Sequence, residues 1–301
     1  MQHSYIELSY PYCMHALVLD KEGLTLQKRK SRVLKSHEAR LKILAAGLCQ
    51  TDIHVADGKL PVSRPLVLGH EFSALVIEVG ADCKRVKKGD LVSADPRSPQ
   101  GFLGIDTDGA FANELVISEN NLYTLPKEIS PLAAAFLEPI AACLAPCKYL
   151  ADRSVKGLVV GTGRIANLTV KLLHVKGYEL FNTSNRLEQI ETSSQHVVIA
   201  TSFTESQSSD FTRILHPGGL LIIKCRPTKS MRLDARMITL KELSIKGAAY
   251  ADFEQARTYL AEKKLDLTEL IGETFPLEKY EGAFELARQG ISRKVFLKCA
   301  E

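Results

Sequence analysis

The order of apolar and polar residues divides the chain into two regions. Residues 14 to 125 consist of short apolar runs broken by turn residues, among them "HALVLD", "ARLKILAAG", "PLVLGHEFSALVIEVG" and "GDLVSAD". Short apolar runs separated by glycines and other turn residues are typical of β-strands. The pattern therefore predicts a strand-rich N-terminal region.

The pattern changes near residue 157. The stretch "GLVVGTGRIANLTVKLLHVKGYELFNTSN" contains an apolar run, a glycine turn, a helical pattern that ends at Gly177, and a second apolar run. It is followed by "HVVIATS", a polar helical stretch and "GGLLIIKC". Alternating strands and helices predict a parallel, doubly wound sheet. The C-terminal stretch "GETFPLEKYEGAFELARQGISRKVFLK" predicts a helix followed by a strand.

Composition narrows the class of protein. At 301 residues and 45% hydrophobic content, the chain can bury a sizeable core and divide into two domains. A net charge of +4, spread along the sequence, gives no support for nucleic acid or anionic membrane partners. The seven cysteines include no CxxC pair, which indicates a reducing compartment, and we expect a cytoplasmic protein.

Targeting and membrane-spanning segments are not expected. The first residues include Glu7 and no apolar run of signal-peptide length. The longest apolar stretch, "SPLAAAFLEPIAACLAPC", contains Glu138 and three prolines, so we do not expect it to span a membrane.

The turn "VVGTGRIA" carries a first candidate site. Gly161 and Gly163 would let the chain turn tightly after a strand and approach a pyrophosphate, and Ala166 would allow close helix packing. A helix that begins near Arg164 would offer free N–H groups to an anion. Any tight strand-to-helix turn could carry the same residues, but the preceding "LVV" and the following helical pattern favour a dinucleotide site.

The stretch "GLCQTDIHVADGKLPVSRPLVLGHEF", residues 47 to 72, carries a second candidate site. A catalytic zinc ion takes three thiolate, imidazole or carboxylate ligands and leaves one position for the substrate. Cys49 and His70 are candidates for two of these ligands. Each could instead be a core cysteine or a hydrogen-bonded histidine.

These motifs together resemble the medium-chain dehydrogenase/reductase family, in particular its zinc-dependent alcohol and polyol dehydrogenases. The family segment G-x-C-x-[ST]-D-x-H is matched by Gly47, Cys49, Thr51, Asp52 and His54, and its G-H-E motif by residues 69 to 71. The segments "FLGIDTDGAFANELVISENNLYTLP" and "AAAFLEPIAACLAP" are also similar to family segments. The resemblance extends from "MHALVLDKEG" to "SRKVFLK".

The resemblance implies an α/β fold of two domains. A strand-rich, GroES-like catalytic domain would comprise residues 1–147 and 270–301, and a shortened Rossmann domain would comprise residues 148–269. The family's cysteine-rich lobe with a structural zinc is missing after "SADP", where "RSPQGFLGID" follows directly. A strand and a helix are also missing after "FNTSNRLEQIETSSQ", which leaves "YELFN" at a sheet edge.

The resemblance also implies one catalytic zinc ion. Cys49, His70 and Glu138 would hold it, and Glu71 would be an outer or exchanging ligand. The zinc would act as a Lewis acid on the alcohol oxygen, so that hydride can leave the carbinol carbon. Thr51 would pass the proton through the cofactor ribose to His54, although His54 could instead face solvent. Asp52 would orient the ligating histidine or simply cap a turn.

The expected cofactor is NADP or NAD. The glycine turn would bind its pyrophosphate through Gly161, Thr162, Gly163, Arg164 and Ile165. NAD-binding relatives place a carboxylate after the second strand, where this chain has Ser184, Asn185 and Arg186. A guanidinium without a carboxylate suits a 2′-phosphate, so we expect a preference for NADP. Arg186 could instead begin the next helix and face solvent.

We expect an oxidoreductase that transfers hydride between a secondary alcohol or polyol and NAD(P), with a small alcohol or ketone as substrate. The family commonly pairs through its nucleotide domains, so a homo-oligomer is possible. One alternative is a zinc-independent reductase on the same fold. The other is a degenerate relative that binds nucleotide without turnover, because the nucleotide domain is short.

Overall fold

The computed structural model describes residues 13–226, 230–290 and 292–299. The N-terminal residues on which the signal-peptide expectation depends lie outside this part. The predicted strand-rich region is confirmed. Its elements are β1 (Cys13–Leu19), β2 (Leu24–Lys30), β3 (Glu38–Gly47), α1 (Gln50–Ala56), β4 (Leu66–Val67), β5 (Glu71–Val79), β6 (Leu91–Ala94), β7 (Arg97–Ser98), β8 (Gly101–Phe102), β9 (Glu114–Ser118) and β10 (Leu122–Leu125).

The predicted alternation of strands and helices follows two helices that carry the apolar stretch, α2 (Pro131–Ala134) and α3 (Leu137–Leu144). The alternating elements are β11 (Gly157–Val160), α4 (Arg164–Val175), β12 (Phe181–Ser184), β13 (Gln195–Ala200), α5 (Glu205–Ser208), α6 (Asp210–Ile214), β14 (Leu215–Ile223), α7 (Ala235–Leu240), β15 (Ser244–Gly247) and α8 (Phe253–Ala261). The predicted C-terminal helix and strand are also present, as β16 (Ile271–Pro276), α9 (Tyr280–Arg288) and β17 (Lys294–Lys298).

The first large sheet joins the N-terminal strands to the end of the chain. Its order is β10-β6-β5-β3-β17-β16, and β9 also pairs with β3. β17 runs antiparallel to β3 and places Phe296 opposite Gly47. The C-terminal strands therefore belong to the same sheet as the metal motif. The domain bounds at residues 147 and 270 stay a prediction.

The second sheet is fully parallel, with the order β12-β11-β13-β14-β15. The expectation that "YELFN" lies at a sheet edge holds, because β12 pairs with β11 alone among the described strands. The chain leaves β11 for β12 on one side and returns to β13 on the other. The carboxyl ends of β11 and β13 therefore form the crevice where ligands of such sheets bind.

Helix α3 lies between the two sheets. All eight of its residues are buried, and Ile140 packs in one apolar cluster with Leu168 of α4 and Leu260 of α8. The same cluster contains Phe296 of β17. This packing fixes Glu138, the second residue of α3, between the nucleotide sheet and the metal motif.

The segment Pro131–Tyr149 meets the length and composition of a membrane-spanning helix, with a mean hydropathy of 1.3. Core helices of soluble proteins meet the same criteria, and 72% of its apolar window is buried inside the protein. The segment is therefore weak evidence for a membrane span.

Candidate metal centre and nucleotide turn

The register of the first sheet brings the two halves of the metal motif together. β3 and β5 run antiparallel, with Gly47 opposite Glu71. Cys49 comes two residues after Gly47 and His70 one residue before Glu71, so both lie at the same end of this strand pair. A cysteine and a histidine separated by twenty residues of sequence thus become neighbours through strand pairing.

Asp52 forms hydrogen bonds with both the loop that carries Cys49 and the loop that carries His70. It lies at the start of α1 and is fully buried. Its Oδ2 accepts a hydrogen bond from Cys49 N at 2.9 Å, and its Oδ1 accepts one from Gly69 N at 3.2 Å. One carboxylate therefore caps the helix, one of the two roles that the sequence left open, and ties the Cys49 loop to the His70 loop, while its role in orienting the histidine stays a prediction.

Cys49, His70 and Glu71 form a compact group. One ligand atom from each lies within 4.8 Å of the others, and they form the one such group of three among the described residues. His70 and Glu71 are buried and Cys49 is half-buried. Thiolate, imidazole and carboxylate are the three ligand types of zinc sites.

The electrostatics of this group favour a thiolate beside a charged imidazole. Burial raises the pKa of the Cys49 thiol, but the charge and hydrogen bond of His70 outweigh burial and lower that pKa below its usual value. Burial lowers the pKa of His70, and the charges of Asp52 and Cys49 outweigh it, so this pKa lies well above its usual value. The chain therefore stabilises the thiolate form that zinc binds.

The ring of His70 carries a polar atom without a hydrogen bond. His70 Nδ1 lies 3.3 Å from Asp52 Oδ1, yet it is buried and makes no hydrogen bond within the described part of the chain. A buried polar atom without a hydrogen-bond partner is costly. The set of donors fits a zinc ion, for which Cys49, His70 and a glutamate would be the ligands.

Glu71 has a second partner that the motif did not predict. Its Oε2 contacts Lys294 Nζ, and both side chains are buried. Lys294 also lies 3.4 Å from the Leu48 carbonyl oxygen, and a Cβ at Gly47 would come within 2.7 Å of its Cδ. Gly47 therefore makes room for this lysine. Burial lowers the pKa of Lys294 to about 8, against the opposing effects of Cys49 and Asp52.

Glu138 lies outside the compact group. It is buried, and its Oε1 accepts a hydrogen bond of 2.6 Å from the hydroxyl of Tyr250. Burial, followed by the charge of Glu138, raises the pKa of Tyr250. The Phe102 ring lies between the rings of Tyr250 and His70, at 6.3 and 5.4 Å, and the role of Glu138 as a ligand stays a prediction.

Thr51 and His54 lie on α1, three residues apart and both half-buried. Residues at this spacing share one face of a helix. Thr51 Oγ1 lies 3.7 Å from Cys49 Sγ, which places the threonine beside the metal group. The proton route through His54 stays a prediction.

The nucleotide turn follows β11 as predicted. Gly161 has φ +121°, and a Cβ there would come within 2.8 Å of the Thr201 hydroxyl. Gly163 precedes α4 and has open space at its Cβ position, and Thr162 is exposed. The turn thus offers accessible backbone at the start of a helix, while Ile165 continues into α4.

Arg164 begins α4 and reaches toward the metal motif. Its Nη2 donates to the Leu48 carbonyl at 3.3 Å and its Nη1 donates to the Arg293 carbonyl at 3.4 Å. Its Nε is buried without a hydrogen-bond partner in the described chain. Burial lowers the pKa of Arg164, and nearby Cys49 is the largest opposing cause. The guanidinium therefore bridges the nucleotide turn and the residue before Cys49.

The residues expected at the cofactor's 2′-position lie at the end of β12. Ser184 Oγ accepts a hydrogen bond from Arg186 N at 3.1 Å. Asn185 and Arg186 are exposed. The structure leaves the guanidinium of Arg186 accessible, and its contact with a cofactor stays a prediction.

Sequence reasoning missed Lys294, Tyr250 and Phe102. The Phe102 ring meets the His70 ring edge-on at 5.4 Å and stacks on Tyr250 at 6.3 Å. Lys294 could have been noticed in the sequence, because a charged residue begins the apolar run "KVFL". The two aromatic residues carried no signal in the sequence.

The N-terminal half of the described fold matches a known domain. The family model for the alcohol dehydrogenase GroES-like domain matches residues 35–127. Two similar curated proteins are the L-threonine 3-dehydrogenase of Bacillus subtilis and the sorbitol dehydrogenase of Rattus norvegicus. The first is 24% identical and covers 88% of this chain and 92% of its own. The second is 25% identical and covers 88% and 90%.

Solved structures with the same fold extend over nearly the whole chain. A zinc-binding dehydrogenase from Sinorhizobium meliloti bound to NADP has a TM-score of 0.86, 21% identity and coverage of 95% of this chain and 99% of its own. Galactitol-1-phosphate dehydrogenase from Escherichia coli has a TM-score of 0.80, 23% identity and coverage of 94% and 99%. The expected combination of a GroES-like unit and a Rossmann-type sheet is confirmed.

Proposed function

We propose that this chain is a zinc-dependent NAD(P) dehydrogenase of secondary alcohols or polyols in the medium-chain dehydrogenase/reductase family. The observation that carries this function is the compact group of Cys49, His70 and Glu71, with Arg164 of the nucleotide turn bonded to the carbonyl before Cys49. A metal site and a cofactor site in direct contact suit hydride transfer between two bound molecules.

The reaction converts a secondary alcohol and NAD(P)⁺ into a ketone, NAD(P)H and a proton. Zinc, when bound, supplies Lewis-acid polarisation of the substrate oxygen. Asp52 would keep Cys49 and His70 in place through the two backbone hydrogen bonds that it accepts. Thr51, next to Cys49 Sγ, would receive the hydroxyl proton and pass it toward His54 on the same helix face.

The proposed ligands are Cys49, His70 and one of two glutamates. Glu71 lies in the compact group and is paired with Lys294. Glu138 lies outside that group and is bonded to Tyr250. A zinc-independent reductase or a non-catalytic relative would not need a thiolate, an imidazole and a carboxylate in one buried place.

The proposed cofactor site extends from the glycine turn to the end of β12. The exposed turn would bind the pyrophosphate, and Arg164 would add a guanidinium at the start of α4. Arg186 would favour the 2′-phosphate of NADP, since no carboxylate occupies residues 183 to 186.

We further propose a cytoplasmic location and pairing of two copies. Seven free cysteines among the described residues suit a reducing compartment. The edge strand β15, with all four residues exposed, gives a nucleotide-sheet edge to which a second copy could add. Small-molecule alcohols or ketones are the proposed substrates.

A spectrophotometric screen of secondary alcohols, polyols and their ketones tests the function, with both nicotinamides and with elemental analysis of the same preparation. We expect turnover that requires zinc. Turnover by zinc-free protein would favour the zinc-independent reductase. Nucleotide binding without turnover of any substrate would favour the degenerate relative.

A further inference from the structure

The two candidate glutamates have chemically different partners. The carboxylate of Glu71 contacts the ammonium of Lys294, and both residues are buried. The carboxylate of Glu138 accepts a 2.6 Å hydrogen bond from a neutral hydroxyl, that of Tyr250. A carboxylate that already contacts a cation is a weaker donor to a second cation, whereas a hydrogen bond from a neutral hydroxyl orients it and leaves its charge in place.

Moving Glu71 toward an ion would also be costly. Its departure would leave the Lys294 ammonium buried without its partner. Glu138 has no such constraint, because its partner is a neutral hydroxyl and a shift of its carboxylate would leave no buried charge unpaired. Glu138 is therefore the carboxylate that is easier to recruit.

The tyrosine is held firmly from several elements. The backbone of its loop is bonded to α3 through Ala251 N and the Ala141 carbonyl, at 2.9 Å. Its ring stacks on Phe102 and packs against Phe253, with centroid distances of 6.3 and 5.7 Å. The Arg97 guanidinium lies 5.0 Å from the ring centroid. This packing fixes the position from which the hydroxyl meets Glu138.

We propose that Tyr250 is a positioning residue: its hydroxyl fixes the carboxylate of Glu138, the ligand that the family resemblance implies, and so favours Glu138 over Glu71 as the carboxylate that joins the metal. The inference rests on the proposed zinc-dependent function and specifies how this chain chooses between two glutamates. Tyr250 itself does not contact the reacting atoms in this proposal.

The test measures metal binding without turnover. Zinc affinity is determined by competition with a chromophoric chelator, and the ligand set is followed through the absorption spectrum of the Co²⁺-substituted protein. We expect Tyr250→Phe to weaken zinc binding about tenfold and to shift the cobalt spectrum, because partners of metal ligands typically contribute 10- to 100-fold. In a Glu138→Gln background the same substitution should have no further effect.

Matched variants separate this role from packing. Tyr123 packs against Phe253 in the same aromatic cluster, at 5.7 Å, so Tyr123→Phe removes a neighbouring hydroxyl and should leave zinc affinity and the cobalt spectrum unchanged. The double variant Glu71→Gln, Lys294→Met removes the other carboxylate and leaves no buried ammonium without its partner. We expect this double variant to lose less zinc affinity than Glu138→Gln.

Two results would overturn the proposal. The first is an equal effect of Tyr250→Phe with and without Glu138. The second is a larger loss of zinc affinity from the Glu71 and Lys294 variant than from Glu138→Gln. If the parent protein binds zinc and turns over alcohols, either of these results overturns the role of Tyr250 and leaves the proposed function intact. A parent protein that binds zinc and turns over no alcohol or ketone would instead overturn the function, and the metal measurements would still decide the role of Tyr250.

Discussion

The metal centre and the nucleotide turn are built differently, although Arg164 connects them. Around the metal centre, Asp52 and Lys294 are fully buried and each contacts both motif segments. At the nucleotide turn, Thr162 and Gly163 are exposed and a Cβ on Gly163 would meet open space. The first site is positioned by the folded core, whereas the second presents backbone to solvent.

The difference indicates where substitutions act. A change in the metal centre removes a ligand or leaves a buried polar group unpaired, so we expect it to affect both catalysis and stability. A change at the exposed residues of the nucleotide turn, Thr162 and Gly163, removes a contact that forms only with the cofactor. We expect it to affect cofactor kinetics while the fold remains intact.

The largest expected effect is that of Cys49→Ser. It removes the thiolate ligand, so we expect loss of zinc and a fall in kcat/KM on the order of a thousandfold, because Lewis-acid polarisation supplies several kcal/mol. Elemental analysis and steady-state kinetics check this. The parent should hold about one zinc per chain, as in a single three-ligand site. Full activity of the zinc-free variant would contradict the proposed centre.

A measured content of two zinc ions per chain would indicate a second zinc site. Cys143 and Cys147 would be its first candidate ligands, because they lie four residues apart. Burial raises the pKa of each thiol to about 11, so both stay protonated near neutral pH. The described residues bring three candidate ligand atoms together at Cys49, His70 and Glu71 and at no other place, so we expect neither cysteine to bind zinc, and a cysteine-to-serine change at 147 should leave the metal content unchanged.

Asp52→Ala should give the next largest effect, on stability. It leaves two backbone N–H groups, of Cys49 and Gly69, without their acceptor. Each unsatisfied group costs roughly 1–3 kcal/mol, so we expect the free energy of unfolding to fall by about 3 kcal/mol. Urea unfolding of the metal-free protein measures this. The control is Asp82→Ala, at an exposed position, which should unfold at the same urea midpoint as the parent. An equal fall in the free energy of unfolding for this control would contradict the interpretation.

Arg164→Ala should act mainly on the cofactor. We expect KM for the nicotinamide cofactor to rise about tenfold, since charge-assisted hydrogen bonds to a phosphate contribute roughly 1.5–3 kcal/mol. Lys171→Ala is the control, because Lys171 lies on the same helix and pairs with Glu269 at 2.9 Å. An unchanged KM for Arg164→Ala would show that this guanidinium serves only to link α4 to the Leu48 carbonyl.

The smallest expected effect is on cofactor choice. The parent should prefer NADP(H), and Arg186→Ala should lower that preference about tenfold by removing a contact with the 2′-phosphate. Ser184→Asp should reverse it, because a carboxylate repels the phosphate and accepts hydrogen bonds from a free ribose. The ratio of kcat/KM with the two cofactors measures both. A parent that prefers NAD(H) would show that these residues have been assigned wrongly.

The sequence by itself predicted the elements and the local motifs. Apolar runs predicted the strands, and the spacing of Gly161, Gly163 and Ala166 predicted a turn between strand and helix, which β11 and α4 confirm. Cys49 and His70 were candidate ligands because their segments resemble those of a known family, and their role as ligands stays a prediction. The strands and the turn could be predicted because each depends on residues near one another in the chain.

Only the tertiary structure decided how the ligands are held. The contact of Glu71 with Lys294 joins residues 223 positions apart, and the hydrogen bond from Tyr250 to Glu138 joins residues 112 positions apart. The first depends on β17 entering the sheet beside β3, and the second on α3 packing between the two sheets. Strand pairing and helix packing bring distant residues together without leaving a local pattern, so the sequence identified both glutamates but not the partners that distinguish them.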